Sequence, residues 1–258
     1  MASEAGVKLP TGATERVYDQ VYPEALMQAW DRLPCRRFEA VIVDEGQDFL
    51  PLWWSAIDAA LAPGPEARLR IFFDSNQRVY KSIGRLPEDV QLVPIRLTKN
   101  LRNTQRIHEF VLTQYEGFPI ISTGPEGIAV ESVKVVPRDA VRLCLDRIIA
   151  RMAGENILPE HMAVLVEAET VIGDVVRSGR CGGLPVTNSS VRKAGALVVD
   201  TIGNFKGLES RVVIVVCTGR MLTERELPYV GFSRARTHLI LLGEEKTLSA
   251  LNKAMGRR

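Results

Sequence analysis

Short runs of branched apolar residues punctuate this chain, and each ends in charged or turn-forming residues. The run Val41, Ile42, Val43 breaks off into Asp44, Glu45, Gly46, Gln47 and Asp48. Consecutive apolar positions put apolar groups on both faces of a strand. The pattern therefore predicts a buried parallel strand over 38–44 whose carboxyl end opens into a site. The same reading predicts strands at 69–73, 91–97, 128–136, 161–167, 184–188, 196–201, 212–217 and 239–242. Apolar residues at helical spacing predict helices at 15–33, interrupted by Pro23, and at 49–61, 104–115, 138–153, 169–177 and 224–236, after which the tail fades into a short basic end. Trp53 and Trp54 are adjacent and cannot share one helix stripe, so one is expected in the core and the other half-exposed. Strands alternating with helices predict a parallel α/β architecture.

Composition narrows this little. The 258 residues are 46% hydrophobic and 25% charged with a formal net charge of +2, which suits a globular protein and leaves the partner open. The four cysteines, Cys35, Cys144, Cys181 and Cys217, are scattered with no CxxC pair, and there are three histidines. A structural zinc site or a disulfide framework is not expected, and free thiols suit a reducing, cytoplasmic setting. The first ten residues, MASEAGVKLP, have no apolar core, and no apolar run reaches membrane-spanning length, so no membrane partner is expected.

Candidate chemistry gathers where predicted strands end. Two adjacent carboxylates, Asp44 and Glu45, suit work on a Mg²⁺-bound nucleotide: one can hold the hard cation and the other can orient or deprotonate water. FDSNQRVY follows the second strand, and Gln77 there can hydrogen-bond a phosphate or an attacking water. LTKNLRNT sets Arg102 between a strand end and a helix start, and an arginine neutralises transferring phosphoryl oxygens. DTIGNFKGLES holds Gly203, Gly207 and Glu209 between two strands; the glycines let backbone approach a ligand, and the carboxylate can accept from a ribose hydroxyl. YVGFSRART places Arg234 and Arg236 on the predicted helix 224–236. Taken singly, Gln77 reads sooner as a solvated loop residue, Arg102 as a surface ion pair, DTIGNFKGLES as a tight strand–strand connection with a charged rim, and YVGFSRART as a solvated basic helix.

In order, DEGQDF, FDSNQRVY, LTKNLRNT, TIGNFKGLE and YVGFSRART resemble motifs II to VI of superfamily 1 helicases of the UvrD/Rep type, closest to the compact core of nuclease-related-domain helicases. The resemblance covers roughly residues 38–243. It implies a P-loop NTPase (RecA-like) fold, with a partial first RecA-like domain over 1–98 carrying motifs II and III. A complete second RecA-like domain over 99–258 would carry motifs IV, V and VI. It implies ATP and Mg²⁺ as cofactors, with Asp44 and Glu45 at the metal and Glu45 as the base for the hydrolytic water. By the same resemblance Gln77 senses the γ-phosphate, Arg102 and Arg234 clamp it, and Gly207 and Glu209 contact the nucleotide. Single-stranded DNA is the implied partner, touched by Thr201 and Asn204, with Tyr80 as a base-stacking platform. Gly203 stands where many family members carry histidine.

One family element is missing from these residues. The phosphate-cradling pattern G-x-x-x-x-G-K-[ST] needs a Gly-Lys dipeptide, and none occurs in the chain. The expectation is therefore the C-terminal portion of an ATP-dependent DNA helicase or translocase, inactive alone and completed by a P-loop half in the same or another chain. The alternatives are a non-catalytic, helicase-derived DNA- or protein-binding module, and a subunit completed by a P-loop-bearing partner. A sheet as small as the one predicted before residue 98 should also leave apolar edge and face uncovered.

Overall fold

The computed structural model describes residues 1–12, 14–74, 93–115, 119–136 and 141–253. Its contacts divide the chain into two compact units, Met1–Ile95 and Arg96–Arg258. No helix among the described residues is long and apolar enough to cross a membrane.

In the first unit, a π-helical turn, Val17–Val21, runs into α1, Tyr22–Arg32. Pro23 does not end the helix: it follows directly on the π-helical turn, and the backbone stays helical through Val21 (φ −68°) and Tyr22 (φ −67°), so the irregular hydrogen bonding of that turn accommodates the missing N–H. Helix α1 buries Ala25, Ala29 and Trp30, and the Trp30 ring meets Phe38 edge-on at 5.4 Å. Strand β1, Ala40–Val43, continues through a 3₁₀ turn into α2, Pro51–Ala60, and returns as β2, Arg68–Ile71, parallel to β1. Trp54 is buried and Trp53 half-buried, and both rings contact Phe49.

The predicted third strand at 91–97 does not form over its described part. Residues 93–97 have no strand structure, and Val93, Ile95 and Leu97 are exposed. Pro94 sits among them and has no N–H to give a ladder. Gln91 and Leu92 lie outside the described residues. The first strand is correspondingly less buried than its sequence suggests. Among the described residues it pairs only with β2, and Ile42 at its middle is 70% exposed.

The second unit opens with a small parallel pair, β3 (Lys99–Asn100) and β4 (Ile121–Ser122), flanking α3, Gln105–Leu112. A seven-stranded sheet follows. Its strands are β5 (Glu131–Lys134), β6 (Met162–Val166), β7 (Arg180–Cys181), β8 (Leu184–Thr187), β9 (Leu197–Thr201), β10 (Ser210–Cys217) and β11 (Ala235–Gly243). They lie in the order β5-β11-β10-β6-β9-β8-β7, all parallel except β7 against β8.

Strand side chains alternate between two faces. One face carries Val164, Val199, Ile214 and Leu242 against Leu145, Ile149 and Met152 of α4, Val141–Gly154, and Val175 of α5, Glu169–Val175. The other face meets α3 and α6, Glu226–Phe232, whose Phe110 and Phe232 rings lie 5.5 Å apart. A mixed α/β unit with a largely parallel sheet covered on both sides results.

Two further expectations need correcting. The helix predicted over 224–236 ends at Phe232, and Arg236 is the second residue of a nine-residue strand. The tail does not fade, because α7, Glu245–Lys253, buries Leu248 and Leu251, spaced to share one helix face. The glycine-rich segment before 184 is a short hairpin, with Gly182 and Gly183 both at positive φ.

Candidate functional site

The acids at the end of β1 sit on a strained turn. Asp44 is exposed, and its Oδ1 accepts from the Glu45 backbone N–H at 2.9 Å. Glu45 has φ 53° and ψ 41°, the left-handed region that a side chain enters at a cost of about 1 kcal/mol or more. Two neighbours fix it there. Gly46 N donates to Phe72 O at 2.9 Å, and a Cβ at Gly46 would come within 2.6 Å of Ile71 Cγ2, so only glycine passes under β2. Gln47 is buried and donates its amide to the Glu45 carboxylate, while its Oε1 accepts from Asp74 N at 3.0 Å. One glutamine thus ties the carboxyl ends of β1 and β2 and aims Glu45. The sequence reading missed Gln47; its signal was an amide two residues beyond the glutamate, in a turn with no other reason to bury it. Gln77 and Tyr80 lie outside the described residues.

A second group gathers at the amino-terminal edge of the seven-stranded sheet. Arg102 Nε lies 3.0 Å from Glu209 Oε2, and Arg236 Nη1 lies 3.4 Å from Glu209 Oε1. A third arginine, absent from the sequence reading, donates from Arg192 Nη2 to the Glu209 carbonyl at 3.2 Å, with its guanidinium 5.2 Å from the centre of the Phe205 ring. Gly207, at φ 77°, supplies the left-handed bend just before Glu209. The two chain segments that bring the arginines here are zipped together. Asn103 is buried and donates Nδ2 to Ser233 O at 3.0 Å and Ala235 O at 2.5 Å, and Thr104 N donates to Arg236 O at 3.1 Å. Asn100 Oδ1 accepts from the backbone N–H of Arg102 and of Asn103, and so shapes the turn that carries Arg102.

Arg234 lies beside this cluster but is buried, and its carbonyl accepts from the N–H of Ser210, the residue after Glu209, at 3.1 Å. It is 1% exposed, and its guanidinium donates to Val230 O at 3.0 Å, Leu208 O at 3.4 Å and Ser233 Oγ at 2.9 Å. An arginine closing on the last carbonyls of its own helix is a C-terminal cap. The cap closes α6 at Phe232, short of the end at 236 that the sequence predicted.

Thr201 and Asn204 lie at the carboxyl end of β9, around Asp200. Burial alone would raise the Asp200 pKa. Donors outweigh it and hold the carboxyl below its usual range: Ser189 Oγ at 2.6 Å, Ser189 N at 2.8 Å, Asn204 Nδ2 at 2.9 Å and Thr201 N at 2.8 Å. Thr201 Oγ1 in turn accepts from Asn204 N at 3.1 Å. The structure therefore brings Arg102, Glu209 and Gly207 together and places Thr201 and Asn204 on a separate, acid-centred knot. A cavity of about 690 Å³ lies at the carboxyl ends of β5, β10 and β11, lined among others by Arg142, Asp174, Thr218 and Glu244; it holds none of the sequence-predicted residues.

Comparison with known proteins bears on the second unit. Residues 196–242 match the model of the UvrD-like helicase C-terminal domain family, a stretch that contains Thr201, Asn204, Gly207, Glu209 and Arg234. Among solved structures, the C-terminal domain of a possible DNA helicase from Lactobacillus plantarum WCFS1 is similar at 22% identity and a TM-score of 0.48, covering 60% of this chain and 96% of that chain. No curated protein matches the chain.

Proposed function

We propose, from the UvrD-like match over residues 196–242, that this chain is the C-terminal portion of a superfamily 1 DNA helicase or translocase acting on ATP and single-stranded DNA. In this reading the second unit is a RecA-like domain and the first is part of another. The observation that carries it is the match itself, because the matched stretch supplies in order the residues expected at nucleotide and DNA. The arginines gathered at Glu209 add support: guanidinium groups are the natural partners of phosphoryl oxygens, and two chain segments more than a hundred residues apart are built to present them.

The residues at the end of β1 fit Mg²⁺ in part. That ion is commonly held by one or two carboxylates together with phosphate oxygens and water, and Asp44 with Glu45 offers such a pair. Asp44 would hold the ion, directly or through water. Glu45, steered by Gln47, would take the proton of the attacking water. Bound Mg²⁺–ATP supplies the phosphoanhydride whose cleavage drives movement along DNA. Arg102 would neutralise the phosphate tail, and Arg234, buried with its guanidinium on Val230 O and Leu208 O, would have to be uncovered to join it. A phosphate-cradling lysine after glycine is not among the 258 residues. The chain therefore needs a P-loop-bearing segment, in its own or another polypeptide, to turn ATP over.

The bonds of Arg234, Thr201 and Asn204 favour one second reading, a helicase-derived binding module without catalysis. Fluorescence anisotropy with labelled oligo(dT), combined with an ATPase assay on the same protein, separates the two. The helicase reading expects salt-sensitive binding of oligo(dT), altered by ATP, with no turnover by this chain alone. Binding indifferent to ATP supports the module. ATP turnover lost in Glu45→Gln overturns the need for a P-loop partner, and failure to bind oligo(dT) at low salt overturns the DNA reading.

A further inference from the structure

We propose that Glu209 is a displaceable counter-ion for an arginine tripod, Arg102, Arg192 and Arg236, and that the tripod takes a linear polyphosphate chain when the Glu209 carboxylate swings away. The proposal rests on the nucleotide reading above and adds to it a third arginine and a competitor.

Two ion pairs converge on one carboxylate. Arg102 Nε meets Oε2 at 3.0 Å and Arg236 Nη1 meets Oε1 at 3.4 Å, so the two oxygens of Glu209 occupy positions that two phosphoryl oxygens could take. Three guanidinium charges against one carboxylate leave a local surplus of positive charge, while the chain as a whole carries only +2.

The parts differ in how firmly they are held. The backbone under Arg102 and Arg236 is fixed by Asn103 and Thr104, and Arg192 is anchored by the Glu209 carbonyl and the face of Phe205. The Glu209 side chain is held by the two surface ion pairs, with side chains 39–53% exposed. Pairs of that kind exchange readily for a stronger anion. A di- or triphosphate carries more charge and more acceptor oxygens than a carboxylate and can satisfy all three arginines. Glu209 then sets a threshold, because an anion must outbid it. Gly207 supplies the backbone freedom beside it.

This role and a ribose contact predict opposite signs. Isothermal titration of the full chain with inorganic tripolyphosphate at fixed ionic strength reads the difference. Glu209→Gln should tighten tripolyphosphate roughly tenfold, by removing the competing negative charge. Arg192→Ala and Arg236→Ala should each weaken it several-fold in the Glu209→Gln background. Glu245→Gln, which removes the same charge at the opposite end of β11, should leave it unchanged. Weaker or equal binding by Glu209→Gln overturns the counter-ion role, and the nucleotide reading survives if Arg102→Ala still weakens ATP. Tighter binding by Glu209→Gln that Arg192→Ala leaves untouched removes Arg192 from the tripod and overturns the proposal as stated. Oligo(dT) added to the tripolyphosphate complex distinguishes phosphodiesters from a free phosphate chain: an oligonucleotide that displaces tripolyphosphate, and whose own binding falls in Arg192→Ala and Arg236→Ala, overturns the assignment to polyphosphate.

Discussion

Strands β1 and β10 look alike in sequence and behave differently in the fold. Each is a run of branched apolar residues, AVIV in one and VVIVV within the other. Ile214, in the middle of β10, is fully buried because β6 and β11 flank it and helices cover both faces. Ile42, in the middle of β1, is 70% exposed, with β2 as its one strand neighbour among the described residues. An apolar run specifies a strand; how much of it is buried depends on how many neighbours the rest of the chain supplies. Among the described residues the first unit offers a two-stranded ribbon with Ile42, Phe72 and Phe73 exposed, and the second a sheet whose buried core is packed against helices.

The largest expected consequence is in local stability. Amide hydrogen exchange should show β6, β9 and β10 exchanging only on global opening of the second unit, while β1 and β2 exchange orders of magnitude faster. Equal protection in β1 and β10 would break the comparison outright. Side-chain truncation sharpens it. Ile214→Ala should cost about 2–5 kcal/mol by leaving a cavity between packed layers, whereas Ile42→Ala should stay within about 0.5 kcal/mol. Denaturant titration of the two variants is the measurement. A large loss from Ile42→Ala would mean that its face is covered after all.

The same contrast explains what the sequence disclosed. Period and composition were enough for the second unit, where β6, β9 and β10 lie within a residue or two of the predicted runs, because burial on both faces leaves an unbroken apolar signal. They failed at the ends of elements. The Arg234 guanidinium on Val230 O closes α6 at Phe232, and β11 begins earlier than its apolar residues indicate. They also failed at 91–97, where an apolar run holds Pro94. At the site, chemically distinctive residues such as Asp44, Glu45 and Arg102 were legible. Gln47, Asn103 and Arg192 were not, since their importance lies in bonds to residues from 27 to 132 positions away, or in the carbonyl of Glu209.

Acid should find the second unit through two groups. Asp200 is ionised in a knot of donors, with a folded pKa below the ordinary 3.8. A depressed carboxyl pKa gives stability that is present above about pH 4 and lost as pH falls through the folded value. Asp200→Asn should cost about 2–3 kcal/mol near neutrality, because its amide meets the Ser189 donors, and the deficit should shrink below pH 4. His238 gives a gentler slope. Burial lowers its pKa below 6.5, although Glu131 at 3.3 Å pulls the other way. The neutral imidazole is favoured in the fold, so its contribution is complete above pH 6.5 and declines as pH falls below that. The drop in Tm between pH 7 and pH 5.5 should be smaller in His238→Gln than in the parent protein.

The smallest stability effect is expected at the residue that matters most for the proposed chemistry, and this is a direct test of it. Arg102 and Asn103 are adjacent in one turn but differ in what they hold. Asn103 is buried with both amide hydrogens on main-chain carbonyls, so Asn103→Ala leaves two buried acceptors short of a donor and should cost about 1–3 kcal/mol. Arg102 makes a surface ion pair with Glu209, side chains 39% and 41% exposed, and such pairs contribute at most about 1 kcal/mol. Arg102→Ala should therefore leave Tm nearly unchanged while weakening the protein for ATP. A side chain retained for stability would show the reverse, so an Arg102→Ala loss in Tm matching that of Asn103→Ala would make Arg102 a strut for its turn and leave the proposed phosphate site without its principal ligand.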